Sequence, residues 1–392
     1  MIDLATERAL TPGCTRGPFL DSAGSSLPPA PVTEVRVGHL RREAEVGGYR
    51  AAAERSEDLA AVPGSLARLI GCRPEEIALA DSGTRAWNSL VTALPWAPGD
   101  RILVCGTEYA SNAIALLQRA RAVGATVEVV PSLPDGSPDL DAYAGMLDDR
   151  VRLVSLVHVP SNSGAVLPVR ELTARAHQVG ALVVLDAGQS VGQLDLDVTD
   201  LGIDALAASG RKWLRAPRGT GFLYLRGSTL DGLEPLAADL RGGTWPSAST
   251  YRLRPDAARF ELWEHSVAGR LGLGAAVDHV LELGAAAIET TVRASAEQLR
   301  TALAQLPGVT VQDRGGDLSG IVPVTVDGHD PTVLKERLFA AGVIVAASGA
   351  GSTRIDMEAR GLESVLRFSP HYFNTADDLG RAVAALAAVT GS

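Results

Sequence analysis

Short apolar runs alternate with longer amphipathic ones between about residues 77 and 226. IALAD (77–81) precedes TRAWNSLVTAL, and RILVCG (101–106) precedes NAIALLQRARAVG. ATVEVVP, VRLVSLVHV (151–159), the helical PVRELTARAHQVG and ALVVLDAG (181–188) follow, and IDALAAS (203–209) and GFLYLR (221–226) complete the series. Runs apolar on both faces and separated by helices predict an α/β domain, a mostly parallel sheet covered on both sides. Ligands of such sheets bind outside the carboxyl ends of the strands. The positions to inspect are therefore Ser82-Gly83-Thr84, Glu108-Tyr109, Ser161-Asn162, Asp186, and Ser209 to Lys212.

From 227 to 260 this rhythm gives way to a stretch rich in Gly, Pro, Ser and Thr, including LRGGTWPSAST. One long helical region is predicted over about 263–304. Strand-like VTVQD and IVPVTV, a helix near 331–341, strand-like VIVAAS and a last helix after Asn374 follow it. We therefore expect a large domain over 16–258 and a smaller α+β domain over 259–392, which the N-terminal segment 1–15 joins.

Composition narrows the function. With 392 residues, 46% of them hydrophobic and 21% charged, the chain has the material for sizeable cores rather than disorder. Its net charge of −10 and the lack of a basic cluster argue against nucleic acid as a partner. No run approaches the roughly 18 apolar residues of a membrane helix, and MIDLATERALTPGC has neither the basic nor the apolar part of a secretory signal. A cytoplasmic protein is expected, and Cys14, Cys72 and Cys105, which form no CxxC, read as free thiols with no metal site. Of the 36 basic residues only Lys212 and Lys335 are lysines. Arginine cannot deprotonate to serve as an amine nucleophile, so a lysine at a strand end stands out.

Singly these signals are weak: an Asp after a strand is more often a helix N-cap, and a lysine in a loop is more often solvated. Together, Asp186-Ala187-Gly188-Gln189 and, about two dozen residues on, Ser209-Gly210-Arg211-Lys212 resemble the class V aminotransferase and cysteine-desulfurase family of pyridoxal-phosphate (PLP) enzymes. That family carries Asp-x-x-Gln and Ser-x-His-Lys at such places. The resemblance runs from Leu20-Asp21-Ser22-Ala23 to Arg367 and Tyr372-Phe373-Asn374-Thr375. It implies the PLP fold type I, a large sheet domain with a smaller C-terminal domain.

It also implies roles. Lys212 would hold the cofactor covalently and move the Cα proton. Asp186 would face the pyridine nitrogen; at ~4 Å and an effective dielectric near 20 such a pair is worth about 4 kcal/mol before desolvation. Gln189 would bond the phenolic oxygen, while Gly83 and Thr84 at a helix start, with Ser209, would hold the phosphate. Arg211 replaces the usual histidine and can still bind phosphate. Tyr109 replaces the histidine that stacks on the ring; it stacks as well but does not carry protons near neutral pH. Arg85 stands where a second threonine often follows. Arg367 matches the clamp on the substrate carboxylate, and Asn162 a residue touching both cofactor and carboxylate. Thr244 falls in a stretch that reaches the partner subunit's phosphate, which implies a homodimer.

Desulfurases need a cysteine on a C-terminal loop to take sulfur. Here that stretch reads VAASGAGSTR (345–354), and no cysteine follows Cys105. REAEVGGY (42–49) and RGLE (360–363) instead resemble the carbon–sulfur lyase branch, with its ergothioneine-pathway sulfoxide lyase and its cysteine S-conjugate enzymes of lincosamide antibiotic biosynthesis. That branch implies β-elimination from an S-substituted L-cysteine or its sulfoxide, releasing a thiol or sulfenic species, pyruvate and ammonia. The alternative is decarboxylating oxidative deamination of a cysteine S-conjugate to an aldehyde, with Tyr109, Arg85 and residues 45–49 deciding between them; transamination and epimerisation rank lower. A nucleotide-binding reading finds no GxGxxG or GxxxxGK[ST], and a non-catalytic relative would be expected to lack Lys212 or Asp186.

Overall fold

The computed structural model describes residues 2–391. Where apolar runs alternate with helices it has seven strands: β1 (Ile77–Ala80), β2 (Arg101–Cys105), β3 (Thr126–Val130), β4 (Val151–Val157), β5 (Leu182–Asp186), β6 (Ala205–Ser209) and β7 (Gly221–Leu225). They form one sheet in the order β1-β7-β6-β5-β4-β2-β3. Strands β2 to β6 pair in parallel, and β7 runs antiparallel to both β6 and β1. The reversal has a simple cause. A parallel crossover needs a dozen or more residues and usually a helix, and only a short loop joins β6 to β7.

Beyond this sheet, β8 (Gly243–Ser247) and β9 (Thr250–Leu253) form an exposed hairpin. A second sheet holds β10 (Val309–Val311), β11 (Val322–Val326), β12 (Ala346–Gly349) and β13 (Ser364–Phe368), all antiparallel in the order β10-β11-β13-β12.

The helical region expected over about 263–304 is two helices, Val267–Leu283 and Ala285–Leu303, bent by 82°. Gly284 between them adopts φ +83°, a left-handed conformation that glycine reaches without a Cβ clash. The first helix packs on the N-terminal helices Ala30–Val46 and Ser56–Ile70. The second gives Ile288 and Val292 to the core beside the large sheet, and Ala296, Leu299 and Leu303 to the core of the small one. No single helix among the described residues is long and apolar enough to cross a membrane.

The loop between β6 and β7 is pinned by Arg215, a side chain only 1% exposed. Its Nε donates to Leu27 O (2.8 Å), Nη1 to Tyr372 Oη (2.6 Å) and Nη2 to Thr11 Oγ1 (2.5 Å). The guanidinium lies 5.0 Å from the Tyr372 ring centre and 4.7 Å from that of Phe373. Residues from both ends of the chain thus converge on one loop. Removing one partner of a buried ion pair costs about 3–5 kcal/mol, and Arg215→Met leaves the buried Glu7 carboxylate, 3.7 Å away, without this cation, so it should lower the urea midpoint by about that equivalent. Arg215→Lys should recover little, because an ammonium cannot present the planar fork. Unchanged midpoints would show that the three bonds contribute nothing net.

Candidate active site

The carboxyl ends of β4, β5 and β6 and the segments after β1 and β2 meet at one edge of the large sheet. A cavity there is lined by Gly83, Thr84, Tyr109, Asp186, Ser209, Arg211 and Lys212, seven of the residues singled out in the sequence. Ser82 caps the helix Gly83–Ala93 by accepting the Arg85 N–H at 3.1 Å. The other N–H groups of that first turn have no intrahelical acceptor and suit an anion. A Cβ on Gly83 would lie 2.8 Å from Ser209 Oγ and 3.2 Å from the Ala208 carbonyl, so only glycine lets the helix start come this close to β6.

Lys212 is partly buried, with its Nζ 5.9 Å from the centre of the Tyr109 ring. Burial pulls its amine down to about 8; the Asp186 carboxylate opposes that shift, and the Arg211 and Arg367 guanidiniums add to it. Asp186 does not pair directly with Lys212. Its Oδ1 accepts the Gly188 N–H (2.8 Å) and its Oδ2 accepts Asn112 Nδ2 (2.8 Å). Gly188 keeps the space between them open, since a Cβ there would come 2.9 Å from Asp186 Oδ1 and 3.5 Å from Lys212 Nζ.

Arg367, on β13, and Asn162, after β4, come together where the small sheet meets this edge. Arg367 donates through Nη1 to Ser161 O and through Nη2 to Asp21 Oδ1, both at 3.1 Å, while its buried Nε has no acceptor. Asn162 Nδ2 donates to Gly349 O at 3.2 Å, and its buried Oδ1 has no donor. A buried polar atom without a partner costs about 1–3 kcal/mol, so Arg367 keeps an unused donor and Asn162 an unused acceptor at a site of converging cations.

Three expected residues stand apart. Arg85 does not line the cavity; it lines a separate cleft with Asp81, Asn88, Ser89 and Thr92. Helical periodicity is the reason, because Gly83, Thr84 and Trp87 share one face and residues 85, 88, 89 and 92 the other. Gln189 is buried but bonded to the protein: Nε2 donates to Ala23 O (3.1 Å) and Ser161 Oγ (3.4 Å), and Oε1 accepts Trp213 Nε1 (2.9 Å). Thr244 lies on the exposed β8, away from this chain's cavity. The sequence did not single out Trp87 and Asn112, which line the cavity from the inward faces of two helices. Trp87 Nε1 is buried with no acceptor. Both look like ordinary helix residues in sequence; the one available signal was the four-residue spacing from Glu108 to Asn112.

A separate cavity of about 610 Å³ contains none of these groups; it lies between the helices around Glu43 to Ala60 and the segment Trp263 to Arg270.

Residues 18–381 match the family model described as aminotransferase class V. The chain is 33% identical over 379 residues to a probable hercynylcysteine sulfoxide lyase of Mycobacterium tuberculosis, covering 96% of this chain and 91% of that one. It is 29% identical over 369 residues to a probable cysteine desulfurase of Methanothermobacter thermautotrophicus, covering 92% of each. Its fold matches the Escherichia coli cysteine desulfurase CsdA with a TM-score of 0.91 at 23% identity, covering 100% of this chain and 99% of that one. The cystine C–S lyase C-DES gives 0.86 at 23% identity, with 96% and 99% covered. The chain belongs to the class V aminotransferase family, whose cofactor is pyridoxal phosphate.

Proposed function

We propose that the chain is a PLP-dependent carbon–sulfur lyase that performs β-elimination on an S-substituted L-cysteine or its sulfoxide. The observation that carries this reading is that Lys212 and Asp186 line one cavity flanked by the helix start at Gly83 and Thr84. The residues fit the cofactor: the Gly83 cradle admits a phosphate at the helix N-terminus, and the unpartnered Trp87 Nε1 faces no protein acceptor. When bound, PLP supplies an aldehyde that links to an amine and a ring that accepts the electron pair left at Cα.

The chain's own groups do the rest. With the cofactor bound, Gly83, Thr84, Ser209 and Arg211 would hold its phosphate, and Asp186 would keep a proton on the ring nitrogen. Tyr109 packs on the ring face. Arg367, through its free Nε, and Asn162, through the second hydrogen of its Nδ2, would bind the substrate α-carboxylate and fix which Cα bond is weakened. Lys212 Nζ takes the Cα proton; the Cβ–S bond then breaks and sulfur leaves with the electron pair as thiolate or sulfenate. Water completes the release of pyruvate and ammonia.

A desulfurase role is disfavoured by the thiols themselves. No cysteine follows Cys105, and burial pushes Cys72 and Cys105 up to about 12, so neither is a thiolate near neutral pH. The 33% identity to a probable hercynylcysteine sulfoxide lyase points the same way. Outside the cavity, Tyr49, Leu236, Trp245, Tyr251 and Trp263 are all more than half exposed. A second copy covers this face and receives Thr244 at its phosphate, as a C2 dimer. Light scattering should give a dimer, and Trp245→Asp should shift it towards monomer; a monomeric, fully active wild type would sink this assembly.

Two measurements test the chemistry. Mass spectrometry of products from an S-substituted cysteine and its sulfoxide should find pyruvate, ammonia and a released sulfur species, with none from Lys212→Ala. Carbon dioxide with an aldehyde still attached to sulfur would overturn the lyase reading in favour of decarboxylating oxidative deamination. Loading is the second. The neutral amine is the nucleophile, and with Lys212 at about 8 its neutral fraction rises roughly tenfold between pH 7 and 9 and then levels. The rate at which apo-protein turns yellow with PLP should follow that curve. A rate still climbing tenfold per unit above pH 9 would mean an ordinary, solvated lysine.

A further inference from the structure

Asp186 is the lone carboxylate lining the described cavity beside Lys212, yet its oxygens bond Asn112 and Gly188 rather than the lysine. Something holds the carboxylate where it is. The sheet order β5-β4-β2 sets three side chains in a row: Asp186 at the end of β5, Ser155 within β4, and Glu108 three residues past β2. Asn112, in the first turn of the helix Ala110–Val123, closes the row from above. One hydrogen of its Nδ2 goes to Asp186 Oδ2 (2.8 Å) and the other to Glu108 Oε1 (3.0 Å). Glu108 Oε1 also accepts the Tyr109 N–H at 2.8 Å, and its Oε2 accepts the Ser155 hydroxyl.

We infer that Asn112 and Glu108 are positioning residues that fix the Asp186 carboxylate at the pyridine nitrogen and keep it from turning onto Lys212. This deepens the proposed function and rests on it. An amide nitrogen only donates, so Asn112 cannot take a proton from either carboxylate; it can only hold them. Asp186 is gripped at both oxygens, by Asn112 on one and by the Gly188 N–H on the other, which leaves it no freedom to rotate. Each oxygen keeps a second lone pair for a further donor. Glu108 in turn fixes the direction of the amide, because without an acceptor at Oε1 the Asn112 side chain is free to turn away. The same oxygen holds the backbone at Tyr109, so the ring-packing residue and the ring-nitrogen partner are set by one group. Glu108 is fully buried, and burial, reinforced by Asp186, pushes it up to about 7. Its neutral form is therefore accessible at working pH, and glutamine is a fair mimic of it.

The test uses PLP-loaded protein and reads the visible circular dichroism of the bound cofactor, which reports how firmly the ring is held, beside kcat and KM for the eliminated substrate. Asn112→Leu should lose at least half of the visible signal. Its kcat should fall about 10- to 100-fold, by analogy with the loss when the outer partners that orient a metal's ligands are removed, with KM within about twofold. Glu108→Leu should do the same, whereas Glu108→Gln, which keeps an acceptor for Asn112 and Tyr109, should recover both signal and kcat. If Asn112→Leu does not fold, the contrast between the two Glu108 variants decides the same question. A visible signal and kcat unchanged in Asn112→Leu, or lost equally in Glu108→Gln and Glu108→Leu, would overturn the inference. A wild type that stays colourless with PLP would instead overturn the functional reading beneath it.

Discussion

A guanidinium keeps its proton at any pH a protein meets, so burying Arg215 obliges its surroundings to supply acceptors. They come from three distant parts of the chain: Thr11, Leu27 and Tyr372, with the Glu7 carboxylate 3.7 Å away. Each is thereby tied to the loop that carries Lys212, whose carbonyl receives the Arg215 N–H at 2.9 Å. The loop also holds Arg215 at φ +59°, a left-handed conformation costing an ordinary residue about 1–2 kcal/mol. Hydrogen bonds to a charged group contribute about 1.5–3 kcal/mol each, and three of them outweigh that strain. The placement of the reactive amine is thus a consequence of satisfying a different charge.

The large sheet was legible because strands buried on both faces appear as nearly continuous apolar runs, as in β2, β5 and β6, and in β4 with only Arg152 and Ser155 interrupting it. Lys212, Asp186 and the Gly83-Thr84 turn were legible for a related reason: each sits directly after such a run, where the backbone alone sets the position. Less legible was whatever depended on rotation about a helix or on a partner in another segment. Arg85 is adjacent in sequence to Thr84 yet faces a different cleft, a matter of helical phase. Gln189 lies close to the site but is bonded to Trp213, Ala23 and Ser161, none of which could be paired with it before the fold was known. Asn112 was hidden the same way, since its two acceptors lie on different elements. The bend at Gly284 was missed because the apolar pattern continues through it, and one glycine in a helical stretch is not by itself a break.

The cations of the site have unequal freedom, and that inequality organises its chemistry. Arg211, Lys212 and Arg367 converge on one small region, and both arginines push the lysine towards its neutral form. Neither arginine can yield a proton in exchange, so the whole cost of crowding three positive groups falls on the single amine that can. The arginines therefore do two things with one charge. In the proposed function they would attract the phosphate and carboxylate groups of the ligands, and they shift Lys212 towards the neutral form that a nucleophile and base needs. A lysine at 211 or 367 would bring a second amine of similar basicity, and the proton would be shared between them. The arrangement also spans both sheets: Lys212 follows β6, and Arg367 lies on β13. Their separation is set by the helix Ala285–Leu303, which packs into both cores, and by the segment through Leu20, whose neighbours Phe19 and Asp21 bridge to Ile344 and Ser369. Arg367 bonds Asp21 directly, so the side chain proposed to clamp a carboxylate is held by the N-terminal segment that bridges to Ile344 and Ser369.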